Sequence, residues 1–576
     1  MTDPRLPVVL LWHMHQPPYR DALSGRYVLP WTYLHAIKDY TDMAAHLEEV
    51  PGAKAVVNFT PVLIGQIEDL TAAVRNCLAR GDALPDALLA TLDARPLPQA
   101  AAPRLALLRA CLRADRENLV SRHAPFAELV ELAQSFDSLE RIGYASDQYL
   151  HDLSVWYHLA WMGEAVRRED ARIVALVAKA RGFDTAERRV LLTLIGELLA
   201  GVLPRFRRLA EQGRCELAVS PYSHPILPLL FDFGAALQGE PHAPRPHHAA
   251  YPGGAERVSW HLHHARSEFE RVFGFAPRGC WPSEGAISNE AVAAIESAGF
   301  DWLATSVSVL KPSLEKSGIE LPAEHAAAER LLNRGFAVQG GARPGGNLEC
   351  YFRHDGISDL IGFTYSRWLG DDAAANFTQE LAALAARTEG EPGRVLLVAL
   401  DGENAWEYYP FNGWYFLRAM YTALATHPDL RLVTLSEIVD EHRAAGIAPA
   451  PLPQVRAGSW VYGTLSTWMG DPDKNAGWDL LCEAKRAFDA EVASGRLSPE
   501  ARARAELQLA ACEASDWFWW FGDYNPAGAV RDFDELFRHQ LASLYRSLDL
   551  QPPAALEQRI SIGRGAPEAG GVMRRS

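Results

Sequence analysis

The chain has 576 residues, 48% of them hydrophobic and 22% charged, with a formal charge of −16 at pH 7. Such a chain buries a large core, as one elaborated barrel or as two or three domains, and its negative balance disfavours binding driven by nucleic-acid phosphates. No run approaches the roughly 18 apolar residues of a membrane span, and seven scattered cysteines, never spaced CxxC, support neither a disulfide framework nor a cysteine zinc site.

Met1–Arg5 lead directly into apolar Leu6–Trp12, which is too short for a signal peptide and lacks a small-residue cleavage site. The segment reads as a strand and the protein as cytoplasmic. Further short β-branched runs follow, each ending in polar or aromatic residues. Val8–Trp12 leads into His13, His15 and Gln16; Ala55–Phe59 into Thr60; Glu216–Val219 into Ser220, Tyr222 and His224. Arg278–Trp281 leads into Ser283 and Glu284, Asp301–Ala304 into Thr305, and Leu348–Phe352 into Arg353, His354 and Asp355. Val395–Leu400 delivers Asp401, Glu403 and Asn404, and Leu432–Leu435 closes the set. Amphipathic helical stretches such as Glu290–Ala298 and Asn376–Arg387 lie between them.

Alternating strands and helices predict an α/β fold with a parallel sheet. Polar groups gathered at the strands' carboxyl ends favour a (β/α) barrel, where chemistry sits at that face. A doubly wound open sheet is the alternative, although no GxGxxG follows the first strand. The barrel is expected over residues 1–445, with a helical insertion at about 70–208 that includes Phe126–Leu132 and Arg172–Ala180. Phe233–Gly254, rich in Pro, Gly and His, reads as a solvated loop. A helical C-terminal domain is expected at 455–550, completing the active site, and a disordered Gly/Arg-rich tail at 562–576.

Two segments carry candidate acids. In Trp281-Pro282-Ser283-Glu284-Gly285 a strand ends in an aromatic, a proline fixes the turn and a glycine permits close approach. In Leu400–Trp406 an apolar strand delivers Asp401 among further polar groups. Taken alone, Glu284 could equally start a helix, and Asp401 could cap one, although three polar groups and an aromatic concentrated in six residues speak against that. Together they match the pair a retaining glycosidase needs: one carboxylate attacks the anomeric carbon, the other protonates the leaving oxygen, and they stand about 5–5.5 Å apart.

His13 and His15 share a face of the first strand. They suit contacts to sugar hydroxyls, or a metal if His224, His354 or Asp355 were recruited, which keeps a metal-dependent deacetylase or amidohydrolase open. A non-catalytic glucan-binding protein is a third class, but it has no use for both acids. Glu513, Asp516, Trp517 and Trp520 fall on one helical face and suit a sugar platform or a packing stripe. Gly458-Ser459-Trp460 and Trp468–Asp471 have the same character.

Taken together, these segments resemble glycoside hydrolase family 57. The resemblance rests on His15-Gln16-Pro17, on Ser220–Pro225 within Glu216–Leu229, on Trp281–Glu284, on Asp401–Trp406 and on Asp516-Trp517, and it spans about residues 8 to 525. It implies an incomplete seven-stranded (β/α) parallel barrel with a C-terminal helical domain. It implies Glu284 as nucleophile and Asp401 as general acid/base, with His13, His15 and His224 at the cleaved bond. Trp281, Trp406, Trp460 and Asp516 would contact sugar, and Gln16, Tyr222 and Glu403 join them as substrate-binding residues. The expected substrate is an α-glucan or maltooligosaccharide, hydrolysed as by an α-amylase or transferred as by a 4-α-glucanotransferase or branching enzyme, with no cofactor or metal. The His-rich loop has no counterpart in the resemblance, and the sequence sets no oligomeric state.

Overall fold

The computed structural model describes residues 3–340, 348–403 and 405–565. Ten strands form one sheet: β1 (Leu6–Met14), β2 (Ala55–Phe59), β3 (Cys215–Val219), β4 (Gly279–Cys280), β5 (Trp302–Ser306), β6 (Phe336–Val338), β7 (Glu349–Arg353), β8 (Leu396–Asp401), β9 (Leu430–Leu432) and β10 (Ala450–Leu452). Every residue of β1 is buried, as a strand covered on both faces requires.

Seven of these strands make a parallel barrel in the order β8-β1-β2-β3-β4-β5-β7. Its seam lies between β7 and β8. There β6 is wedged antiparallel to β7, with Phe336 opposite Cys350, while Val395 N–H donates to Asn333 O at 2.9 Å. Further along, His354 N–H donates to Leu397 O at 2.8 Å and draws β7 to β8. This is the incomplete (β/α) barrel, and the open doubly wound sheet is not realised.

The predicted strand at Leu432–Leu435 is only partly one. β9 ends at Leu432, and Thr434 caps the helix Leu435–Ala445 in a capping box with Glu437. Helices fill the chain between β2 and β3, from Pro61–Arg80 to Thr185–Glu211. After β10 come the helices Pro472–Ser494, Pro499–Cys512, Asp516–Trp520 and Ala527–Ser547.

The His-rich loop keeps His242 and His247 exposed, while the backbone N–H groups of His247 and His248 tie it down by donating to the Asp479 carboxylate at 3.1 and 3.0 Å. Ile562–Gly565, the start of the expected tail, lies against Asp523–Pro526 through hydrogen bonds from Arg564 and Gly565 N–H; residues 566–576 fall outside the described residues, as does Asn404.

Candidate active site

At the carboxyl face of the barrel a cavity of about 700 Å³ is lined by Glu284 and Asp401 together. This size is ordinary for a ligand pocket. β8 runs beside β1 with His13 opposite Asp401, so the strand that carries the first histidine also carries the neighbour of the second acid.

Glu284 follows β4 in a left-handed conformation, φ 56° and ψ 26°, and Gly285 is left-handed too. Two such residues in succession reverse the chain and turn the carboxylate into the cavity. For a glutamate this conformation costs on the order of 1–3 kcal/mol, a cost that clusters at functional sites. A Cβ at Gly285 would also press on Thr305 Oγ1 at 3.2 Å. Trp460 fixes the result: its backbone N–H donates to Glu284 O at 3.2 Å and its indole Nε1–H to Glu284 Oε2 at 3.1 Å. The indole is itself held between the Arg353 guanidinium, 5.1 Å from its ring, and the edge of Trp281, with ring centroids 5.0 Å apart.

The histidines form a hydrogen-bonded chain. His13 Nδ1 meets Asn58 Oδ1 at 2.6 Å, His13 Nε2 meets His224 Nε2 at 3.2 Å, and His224 Nδ1 meets Ser515 Oγ at 3.0 Å. One consistent assignment has Ser515 O–H donating to His224, His224 Nε2–H to His13, and His13 Nδ1–H to Asn58. Both rings are then neutral. Burial, helped by the neighbouring imidazoles, pushes His13 down to about 3 and His224 well below the usual histidine range. His224, left-handed at φ 64°, also approaches Glu284 Oε1 at 3.9 Å. His15 stacks on His224 with centroids 3.9 Å apart, and its Nε2 meets Asp516 Oδ1 at 2.9 Å.

His15, His224 and Asp516 are the one set among the described residues with donor atoms close enough to hold a metal, all within 4.8 Å. The ring nitrogens of this set are already engaged with protein partners, His15 with Thr60 and Asp516 and His224 with His13 and Ser515, so the set as it stands is a hydrogen-bonded one. His354 and Asp355, the other ligands a metal reading would recruit, bond Ile357 N–H and Ser308 N–H and do not line the cavity.

Of the sequence-predicted contacts, His13, His15, Gln16, His224, Glu403, Trp460 and Asp516 line the cavity with the two acids. Three do not. Trp281 is fully buried behind Trp460. Trp406 turns inward, its Nε1–H donating to Gly402 O at 2.9 Å and its ring 5.7 Å from that of Trp12. Tyr222 packs on Trp260, 5.3 Å away, on the barrel's flank.

Glu513 is corrected as well. The helix carrying Asp516 starts at that residue, so the two acids do not share a face. Glu513 instead accepts from Arg257 Nη2, His261 Nε2 and Tyr251 O–H at 2.7, 2.7 and 2.6 Å. Trp517 is core, while Trp519 and Trp520 reach the cavity. Sequence reading placed Thr60 at a strand end but did not single out Asn58, Ser515, Trp31 and Trp161 as site residues. Asn58 did leave a signal, as the one polar residue in the apolar strand Ala55–Phe59.

The family model for glycosyl hydrolase family 57 matches residues 9–451. The chain belongs to that family. Trp460 and Asp516 lie beyond the matched region yet line the same cavity as the barrel residues. Among solved structures, the family 57 branching enzyme of Thermococcus kodakaraensis aligns at 14% identity and TM-score 0.57, covering 94% of this chain and 90% of its own. The branching enzyme of Pyrococcus horikoshii aligns at 15% and 0.55, covering 96% and 93%. The α-amylase of Thermotoga maritima aligns at 13% and 0.54, covering 95% and 93%. These likenesses show the shared fold. No curated protein sequence matches the chain. As a family 57 member the protein is a glycosidase-class enzyme, and no described helix is long and apolar enough to cross a membrane.

Proposed function

We propose that the protein is a retaining enzyme of α-1,4-glucans, hydrolysing them as an α-amylase does, with Glu284 as nucleophile and Asp401 as general acid/base. The observation that carries this reading is that both acids, from the ends of β4 and β8, line one cavity with three histidines and Trp460. Glu284 attacks C1 of the bound glucosyl unit. The bond from C1 to the glycosidic oxygen breaks, and Asp401 gives that oxygen its proton. A water, or a sugar hydroxyl, then loses its proton to Asp401 and attacks C1, and Glu284 leaves. Two displacements restore the original α configuration.

Trp460 Nε1–H holds one Glu284 oxygen and thereby aims the other. Neutral His13 and His224, bonded to each other, to Asn58 and to Ser515, present ordered, uncharged rings to this side of the cavity. Branching enzymes and an α-amylase share the fold, so the acceptor is the open choice within one mechanism. We further take residues 455–550 as a helical domain that completes the cavity, and the enzyme as cytoplasmic.

Incubation with maltoheptaose tests the reading. Hydrolysis produces new reducing ends. Longer chains at constant reducing ends reassign the enzyme to 4-α-transfer, and products sensitive to a debranching enzyme reassign it to branching. Glu284→Gln turning substrate over at the original rate would remove Glu284 from the mechanism.

A further inference from the structure

Glu403 lies two residues beyond Asp401, and Gly402 eases this placement: a Cβ at 402 would collide with the Met14 side chain. The glutamate therefore tucks beneath the end of β1, where it is 2% exposed. All three of its hydrogen bonds fall on one oxygen. Oε1 accepts from His15 N–H at 3.1 Å, Gln16 Nε2–H at 3.0 Å and Tyr40 O–H at 3.1 Å. Oε2 is buried and has no partner among the described residues.

Among the described residues the charged groups that act on this carboxyl are themselves acids, Asp401 and Asp39. Asp401 stands on its own strand, and Tyr19 faces it from the segment after β1. Tyr40 and Asp39 approach from the π-helical turn Ala36–Tyr40, where the nearby Lys38 ammonium is engaged by Asp39 at 2.6 Å and by Asn412 at 2.8 Å. No lysine or arginine donates to Glu403 among the described residues. An ionised carboxylate would leave one buried oxygen bare beside a second acid, an expensive arrangement.

We propose that Glu403 is a positioning residue that works uncharged: as a carboxylic acid protonated on Oε2, it gathers the end of β1 onto Oε1 and sets no second negative charge beside Asp401. Burial first, and the Asp401 charge second, push its carboxyl well above the ordinary glutamate range. The consequence lies in the cycle of Asp401, on whose assignment as acid/base this inference rests. Asp401 must hold a proton in the first displacement and lose it before the second. A fixed negative neighbour would resist the loss; a neutral one does not. Glu403 also ties the backbone of His15, and through it the His15–Asp516 bond, to the strand that carries Asp401.

The test compares wild type with Glu403→Gln, which is neutral and of the same shape. In the infrared difference spectrum at pH 7, the carbonyl stretch of a protonated acid is expected to vanish in the variant; loss of a carboxylate band instead overturns the proposal. A deuterium on Glu403 Oε2 in a neutron map of the wild type supports it without any variant, and a bare Oε2 overturns it. In kinetics, Glu403→Gln is expected to lower kcat/KM by less than about tenfold with the basic limb of its pH profile in place, whereas Glu403→Leu, which drops all three bonds, loses about a hundredfold. A basic limb moved to lower pH by about a unit or more in the Gln variant means a charge has been removed, and refutes the idea. The infrared and neutron readings concern Glu403 alone, so they stand or fall separately from the assignment of Glu284 and Asp401.

Discussion

Replacing Glu513 is expected to damage the enzyme at a distance from its chemistry. Its carboxylate is fully buried and closes an ion pair with Arg257, whose side chain is only 6% exposed. His261 completes the group, but burial holds that imidazole below its ordinary range, so it serves as a neutral donor and Arg257 carries the charge. Against burial, which pushes it up, the Arg257 charge and the hydrogen bonds from His261 and Arg257 hold Glu513 down at about 2 against an ordinary 4.5. At about 1.4 kcal/mol for each pH unit, that difference corresponds to about 3 kcal/mol. Removing one member of a buried pair independently costs about 3–5 kcal/mol, because the other charge is stranded. Glu513→Leu is therefore expected to lose about 3 kcal/mol in urea unfolding followed by tryptophan fluorescence. Activity is expected to fall more steeply than stability, because Ser515 and Asp516 follow two and three residues later and Ser515 N–H is bonded to His224 O at 3.0 Å. The double variant Arg257→Met/Glu513→Leu removes both charges and is expected to recover at least half of the lost stability. A single variant within about 1 kcal/mol of wild type, or a double variant no better than the single, would refute the reasoning.

The same carboxylate sets an acid limit. Its folded value is depressed, so its stabilisation is fully present above about pH 4.5 and disappears as pH falls through about 2; Glu513→Gln is expected to flatten the acid-unfolding curve across that window. Trp460→Phe deletes the Nε1–H bond to Glu284 while keeping an aromatic face, and kcat/KM is expected to fall by roughly 10- to 100-fold, as losing a bond to a charged group does; an unchanged value would remove Trp460 from the orientation of the nucleophile. Asn58→Asp places a carboxylate 2.6 Å from His13 Nδ1 and is expected to raise that imidazole from about 3, adding a new limb to the pH profile of kcat/KM between about pH 5 and 8. An unaltered profile would show that His13 does not face the reacting sugar.

The barrel was legible because its strands are apolar runs with a fixed ending. Val395–Leu400 could only be an interior strand, and the acid it delivers could only emerge at the carboxyl face. β6 and β10 escaped notice because three-residue strands leave no period to read. The acids and histidines were legible for the same reason as the strands: each stands within five positions of the end of such a run.

The aromatic residues were not. Trp406 and Trp281 sit beside the acids in sequence, but neighbours along a strand or tight turn face opposite ways, and both rings went into the core. Glu513 and Asp516 share a face only if one helix runs through them. A break after Cys512 sends the first to Arg257 and the second to His15. Which of two nearby carboxylates meets the substrate was decided by that break, and no pattern of residue types announces it.

The bond between His15 and Asp516 joins positions 501 residues apart. At about 5–20 residues per second of synthesis, a ribosome takes roughly 25–100 seconds to travel from one to the other. Through that interval β1 acquires its sheet partners β2, β8 and β9, and the Asp516 wall of the cavity comes last. The wall that Asp516 gives the cavity is thus completed only when nearly the whole polypeptide has been made.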